Sequence, residues 1–108
     1  DKKTYQLDFR NQSEAIKESL EDIHEGADIV MVKPAIYYLD IVSVLKEKCL
    51  VPIAAYQVSG EYSMIKIASE KKIINFKDTV LESLIGIKRS GADIIFSYFA
   101  EEVSAWLK

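Results

Sequence analysis

The sequence predicts an α/β fold, the carboxy-terminal portion of a TIM (β/α)8 barrel with about three parallel βα units. Apolar runs of β-branched residues alternate along the chain with segments whose apolar residues recur at helical spacing. Such alternation with short joints indicates parallel strands linked by right-handed crossovers. The pattern GADIV at 26–30 returns 65 residues later as GADII at 91–95. Because a complete barrel needs about 250 residues, we expect residues 1–108 to be a fragment of one such domain.

The first predicted elements are a helix and a buried strand. Asn11 stands three positions before Glu14, the spacing of a side-chain cap at a helix start, and the helix extends to about Glu25, where Gly26 ends it. The run DIVMV at 28–32 is almost wholly apolar, which is typical of a strand buried on both faces of a parallel sheet.

The remaining elements follow the same alternation. Proline and glycine mark their ends, and Asn75 with Asp78 forms a second capping pattern. We predict a helix at 37–48, a strand at 52–56, helices at about 60–70 and 75–89, a strand at 91–97 and a closing helix at 99–107.

Composition excludes several classes of protein. The chain has 49% hydrophobic and 29% charged residues, as in an ordinary soluble globular protein. Its net charge is -3 and its basic residues are interspersed with acidic ones, so we expect no nucleic-acid partner. No apolar run approaches the roughly 18 residues of a membrane span, and no membrane partner is expected. The single Cys49 cannot form an internal disulfide, which favours a reducing, cytoplasmic setting.

The sharpest chemical feature is Lys33, which follows the first predicted strand and precedes Pro34. Barrel enzymes keep their catalytic groups at the carboxyl ends of their strands. A poorly hydrated amine there can be held uncharged, and it could then attack a carbonyl carbon to form a Schiff base. The alternative is a lysine that only extends its amine from a strand end into solvent.

Two other strand ends carry polar groups. Ser59 with Gly60 could offer a hydroxyl and backbone amides to a carboxylate, or Ser59 could be only a helix cap. Tyr98 could donate its hydroxyl to a substrate oxygen, or fill the core while its edge meets water. Since the carboxyl ends of parallel strands meet at one barrel mouth, we predict that Lys33, Ser59 and Tyr98 share one site.

A metal site is less clearly indicated. Glu18 lies on an acidic face of the first helix and could hold a hard cation such as Mg²⁺, although a solvated acidic face is the simpler interpretation. His24 is the single histidine and has no second nitrogen or sulfur ligand near it in the sequence. A zinc or copper site is therefore not predicted.

Five segments together resemble the porphobilinogen synthase (5-aminolevulinate dehydratase) family. They are DKKTYQLD at 1–8, MVKPA at 31–35, YLDI at 38–41, AYQVSGEY at 55–62 and IKRSGAD at 87–93, and the resemblance covers essentially the whole chain. It implies a (β/α)8 barrel lyase, usually a homo-octamer, that condenses two molecules of 5-aminolevulinate to porphobilinogen in tetrapyrrole (haem) biosynthesis.

The resemblance also assigns roles. Carried over by motif, it implies that Lys33 forms the Schiff base, that Ser59 and Tyr98 bind the substrate carboxylate, and that Glu18 ligates an allosteric Mg²⁺. It implies that the preceding part of the barrel supplies the family's other site features. These are a second Schiff-base lysine, basic residues that bind the other substrate, a mobile lid and, in many members, a cysteine-rich zinc site. Zn²⁺ in the full-length enzyme would thus have no ligands in this chain.

We therefore expect negligible synthase activity from these 108 residues alone. Two other interpretations stay open. A lysine-dependent aldolase would share Lys33 but gives no reason for YQVSGEY at 56–62. A non-enzymatic assembly module would associate through sheet edges left exposed by the missing strands.

Overall fold

The computed structural model describes residues 11–108. Within that range helices and strands alternate as predicted. The helices are α1 Gln12–His24, α2 Leu39–Lys48, α3 Ser59–Glu70, α4 Phe76–Ser90 and α5 Ala100–Trp106. None of the helices in this part of the chain is long and apolar enough to cross a membrane.

The strands are β1 Val30–Val32, β2 Ile53–Gln57 and β3 Ile94–Ser97. They form one sheet in the order β1-β2-β3, and both neighbouring pairs are parallel. Ala55 pairs with Val32 on one side and with Ile95 on the other. The carboxyl ends of all three strands therefore lie at one edge of the sheet, which we call the carboxyl edge.

Both predicted helix caps are confirmed. The Asn11 side chain accepts a 3.0 Å hydrogen bond from the Glu14 backbone N–H, and Asn75 accepts one of 2.9 Å from Asp78. These bonds satisfy backbone donors that have no partner within the first turn of a helix.

Two strands are shorter than predicted. The first begins at Val30 rather than at 28, and its first ladder bond runs from the Val30 N–H to the carbonyl of Pro52. Pro52 has no N–H to donate in return, so the ladder cannot extend further in that direction. The third strand begins at Ile94 rather than at 91, because Gly91 has a left-handed backbone (φ 122°) that turns the chain out of α4.

The core lies between one face of the sheet and the helices. Side chains alternate along each strand, so Val30 and Val32 share this face with Ile53 and Ala55. The buried cluster consists of Val30, Val32, Ala35, Ile41, Val42, Leu45, Ile53, Ala55, Ile87 and Ala92.

The other side of the sheet, which we call the open face, is only partly covered. Met31 is half-buried and Phe96 is 47% exposed, whereas Ala54 on the central strand is buried. The prediction of a strand buried on both faces is thus wrong for β1, because no element of the described chain covers Met31 as fully as the helices cover its neighbours.

Candidate active site

Lys33 is exposed and lies one residue beyond the end of β1. Alternation from Met31 places it on the open face, and continuing the strand register by one residue sets it against Tyr56 of β2. The turn that follows is closed by a 3.0 Å bond from the Ala35 N–H to the Tyr56 carbonyl. The structure therefore places Lys33 at the carboxyl edge, as predicted.

Glu61 was not singled out by the sequence analysis, although its segment was. Its side chain is 3% exposed and its carboxylate accepts hydrogen bonds from three backbone N–H groups. Ile36 donates to Oε1 at 2.9 Å, while Ala35 and Val58 donate to Oε2 at 3.2 and 2.7 Å. A buried carboxylate is tolerated when such charge-assisted bonds replace its water. Glu61 thus joins the chain just after Lys33 to the chain just before α3.

Ser59 is the first residue of α3, and Val58 occupies the cap position. The alternative that Ser59 is the helix cap is therefore wrong. Valine has no side-chain acceptor, so the cap is one-sided and consists of the Glu61 carboxylate accepting from the Val58 N–H. Ser59 itself is exposed, beside backbone amides of a first helical turn that lack intrahelical acceptors.

Tyr98 follows β3 and is 51% exposed. Its ring stacks on Tyr56, with centroids 6.3 Å apart and planes 22° apart, and makes a tilted contact with the Tyr62 ring, whose centroid lies 5.5 Å away. A hydrogen bond to Tyr98 is the largest cause that raises the pKa of Tyr56, followed by charge repulsion from Tyr98 and partial burial. Tyr56, another residue that the sequence analysis did not single out, therefore stays protonated at neutral pH.

A buried polar network holds the chain on both sides of Tyr98. The Gln57 side chain, 1% exposed, accepts a 2.6 Å bond from the Ser97 hydroxyl and donates a 2.9 Å bond to Ser83 on α4. The same Ser97 oxygen accepts from the Phe99 N–H at 3.1 Å. A glutamine at the end of an apolar strand was the available signal for this network, because a buried amide needs partners.

A shallow cavity lies on the open face. Its lining consists of Met31, Tyr56, Phe96, Ser97 and Tyr98. Of the three predicted site residues, Tyr98 lines this cavity, whereas Lys33 and Ser59 lie at the same sheet edge outside its lining. The arrangement places an amine, two tyrosine hydroxyls and aromatic rings on one side of the sheet.

Glu18, the predicted Mg²⁺ ligand, is on α1 and partly buried. Its Oε2 is enclosed and has no hydrogen-bond partner among the described residues. The interpretation of a fully solvated acidic face is therefore wrong at this position. Residues 11–108 contain no group of three or more histidine, cysteine, aspartate or glutamate side chains that could hold a metal ion. Any cation at Glu18 would need further ligands from outside these side-chain types of residues 11–108.

Comparison with known proteins extends over the whole chain. A family model described as delta-aminolevulinic acid dehydratase matches residues 1–106. The enzyme of that name from Helicobacter pylori is 52% identical over 108 residues, which are 100% of this chain and 33% of the relative. The one from Halalkalibacterium halodurans is 54% identical over 107 residues, 99% of this chain and 33% of the relative. The chain spans about a third of the length of these curated relatives.

A solved structure agrees. The crystal structure of delta-aminolevulinic acid dehydratase (porphobilinogen synthase) from Toxoplasma gondii ME49, in complex with the reaction product porphobilinogen, matches with a TM-score of 0.92 and 51% sequence identity. The match covers 98% of this chain and 30% of that one. It confirms the predicted fold class, a portion of a (β/α)8 barrel. By its sequence and by its structure, the chain belongs to the delta-aminolevulinic acid dehydratase family.

Proposed function

We propose that this chain is the Schiff-base part of a porphobilinogen synthase, a hydro-lyase that condenses two molecules of 5-aminolevulinate, with loss of water, to porphobilinogen in tetrapyrrole (haem) biosynthesis. The observation that carries the proposal is the placement of Lys33 at the carboxyl edge of a parallel sheet in a member of this family. Ser59 and Tyr98 follow the other two strands, β2 and β3, at the same edge.

In the proposed step, the Lys33 amine bonds through Nζ to the keto carbon of 5-aminolevulinate. The carbonyl oxygen gains both amine protons and leaves as water, which gives a Schiff base. The Ser59 hydroxyl and the Tyr98 hydroxyl would donate to the substrate carboxylate and hold the keto carbon within reach of the amine. Such positioning converts an encounter between two molecules into a reaction within one complex.

Borohydride trapping tests this step. The chain is incubated with 5-aminolevulinate, reduced, and digested for mass spectrometry. We expect an adduct at Lys33 that Lys33→Ala abolishes and that Lys71→Ala leaves unchanged, since Lys71 is an exposed lysine at the opposite end of α3 from Ser59. Labelling spread evenly over the surface lysines would contradict the proposal.

The same assay separates the alternatives. Stronger trapping of pyruvate or of a sugar phosphate than of 5-aminolevulinate would favour a lysine-dependent aldolase. A concentration-dependent mass in light scattering, unaltered by Lys33→Ala and without any Lys33 adduct, would favour an assembly module. Turnover by these 108 residues near that of a complete synthase would contradict the expectation of negligible activity.

A Mg²⁺ ion at Glu18 is a separate part of the proposal. Its support is the enclosed Glu18 Oε2, since carboxylate oxygens suit hard cations and a buried one needs a partner. We expect Mg²⁺ to raise the melting temperature of the unsubstituted chain and of Glu21→Gln, an exposed neighbour on α1, but not that of Glu18→Gln. An equal rise in all three would contradict the site. Zn²⁺ is proposed only for residues outside this chain.

We further propose a cytoplasmic enzyme that works as a homo-oligomer, an octamer in its full-length form, without nucleic-acid or membrane partners. Cys49 is unpaired and partly buried, which suits a reducing compartment. Light scattering of the full-length protein tests this assembly, and a monomer at all concentrations would contradict it.

A further inference from the structure

Glu61 makes more hydrogen bonds than helix capping requires. Capping of α3 needs only the bond from the Val58 N–H, and a glutamate in the first turn can supply that from the surface. The other two bonds come from Ala35 and Ile36, which are 26 and 25 residues away in the sequence. We call residues 33–36 the Lys33 loop and residues 57–60 the Ser59 corner. The Glu61 carboxylate lies between them and bonds to both.

We infer that Glu61 is a positioning residue whose buried carboxylate holds the Lys33 loop against the Ser59 corner and thereby directs the Lys33 amine. This role rests on the proposed function. Lysine carries its amine on a flexible four-carbon stem, so the amine can be directed only if the backbone beneath it is fixed. Glu61 supplies that fixation without contacting the substrate.

The two donors in the Lys33 loop are not equivalent. The Ala35 N–H is shared between the Tyr56 carbonyl at 3.0 Å and the Glu61 Oε2 at 3.2 Å. The Ile36 N–H instead donates to the Glu61 Oε1 at 2.9 Å. The Ile36 amide is therefore the better reporter of the Glu61 contact, because the ladder can still protect Ala35 after Glu61 is removed.

Two variants remove the hydrogen bonds of Glu61 to different extents. Glu61→Ala removes both acceptor oxygens and with them all three hydrogen bonds. Glu61→Gln keeps the shape but replaces one oxygen by a donor, so the best orientation retains the Ala35 and Val58 bonds and sets an NH₂ group against the Ile36 N–H. Asp93→Asn is the matched control, because the Asp93 carboxylate also accepts from a backbone N–H, that of Ile53 at 2.9 Å, but at the opposite end of the sheet.

Three readouts are compared: the melting temperature, hydrogen exchange at the Ile36 amide, and the ratio of 5-aminolevulinate adduct at Lys33 to that at Lys71. Hydrogen exchange and adduct formation are measured at one temperature. For Glu61→Ala we expect hydrogen exchange at the Ile36 amide to become faster and the adduct ratio to fall, each by on the order of tenfold. The adduct ratio falls because a small misplacement of a reacting group can slow a reaction by up to about a hundredfold. For Glu61→Gln, both the Ile36 exchange rate and the adduct ratio should lie between the values for Glu61→Ala and for the unsubstituted chain. Asp93→Asn should lower the melting temperature while leaving both local readouts unchanged.

The outcomes separate this inference from the proposed function. A normal adduct ratio in Glu61→Ala, or Ile36 exchange that rises no more than exchange at core amides such as that of Ala55, overturns the role of Glu61. If the unsubstituted chain labels Lys33 no more than Lys71, the proposed function fails and the adduct-directing role fails with it. If Ile36 exchange still rises selectively in Glu61→Ala in that case, the result supports the hydrogen bond between Glu61 and the Lys33 loop but not an effect on the Lys33 amine.

Discussion

Replacement of Gln57 by leucine tests how the chain around Tyr98 is held. The Gln57 amide accepts from Ser97 at 2.6 Å and donates to Ser83 at 2.9 Å, and its side chain is 1% exposed. Leucine keeps most of the volume but removes both hydrogen bonds. The Ser97 hydroxyl then lacks an acceptor, and the Ser83 oxygen loses a donor.

The magnitude follows from these two losses. Leaving a buried polar group unsatisfied costs about 1–3 kcal/mol. Each serine keeps one bond, Ser83 to the Val80 carbonyl at 2.8 Å and Ser97 from the Phe99 N–H at 3.1 Å, and both are only partly buried. We therefore take the lower part of that range twice and expect Gln57→Leu to lower the free energy of unfolding by about 2–4 kcal/mol.

Urea unfolding followed by the fluorescence of the single Trp106, which packs on Phe76 in an edge-to-face contact, measures this change. Ser83→Ala is the matched control and removes one of the two partners, at an expected cost of about 1 kcal/mol. Because the two residues share a hydrogen bond, the double variant should show a coupling energy of about 1 kcal/mol. A loss below about 0.5 kcal/mol for Gln57→Leu, the scatter of neutral surface substitutions, would refute the reasoning.

Three other predictions concern conformation and charge. Gly91→Ala should destabilise the chain by more than about 1 kcal/mol in urea unfolding, because φ is 122° and an added Cβ would lie 2.8 Å from the Lys46 Cβ. The hydrogen bond from Lys46 lowers the pKa of Asp93. This contact therefore stabilises the fold at pH values above the ordinary aspartate pKa, and the stabilisation is lost as pH falls through the lower pKa of the folded state. Lys46→Met should raise the Asp93 pKa in an NMR titration. Tyr98→Phe should lower the pKa of Tyr56 in a tyrosinate absorbance titration, since it removes the hydrogen bond that raises it.

Each of these has a simple contrast. Gly26 also has a positive φ, 108°, but no atom lies within 4 Å of an added Cβ, so Gly26→Ala should cost less than Gly91→Ala. An equal cost would mean that backbone strain alone accounts for both. An Asp93 pKa unaltered by Lys46→Met, or a Tyr56 pKa unaltered by Tyr98→Phe, would contradict the assigned contacts.

The predictable part of the site is the part that depends on local sequence. Lys33 was expected at a strand end because an apolar run and a proline enclose it, and that placement is confirmed. The expected position of Ser59 at the start of a helix was right, but its capping role was wrong, since Glu61 and Val58 form the cap instead. The chemical roles of Lys33, Ser59, Tyr98 and Glu18 stay predictions.

The sequence by itself determined the alternation of strands and helices, the side-chain caps at Asn11 and Asn75, and the family, because periodicity, capping and long motifs are all written in neighbouring residues. The tertiary structure alone decided that the Glu61 and Gln57 side chains are buried with their hydrogen bonds satisfied, and that one face of the sheet is open. A polar side chain is buried or exposed according to the donors around it, and the Glu61 donors in the Lys33 loop lie 25 and 26 residues away. Only the tertiary fold, which places the first turn of α3 beside the turn that follows β1, could bring them together.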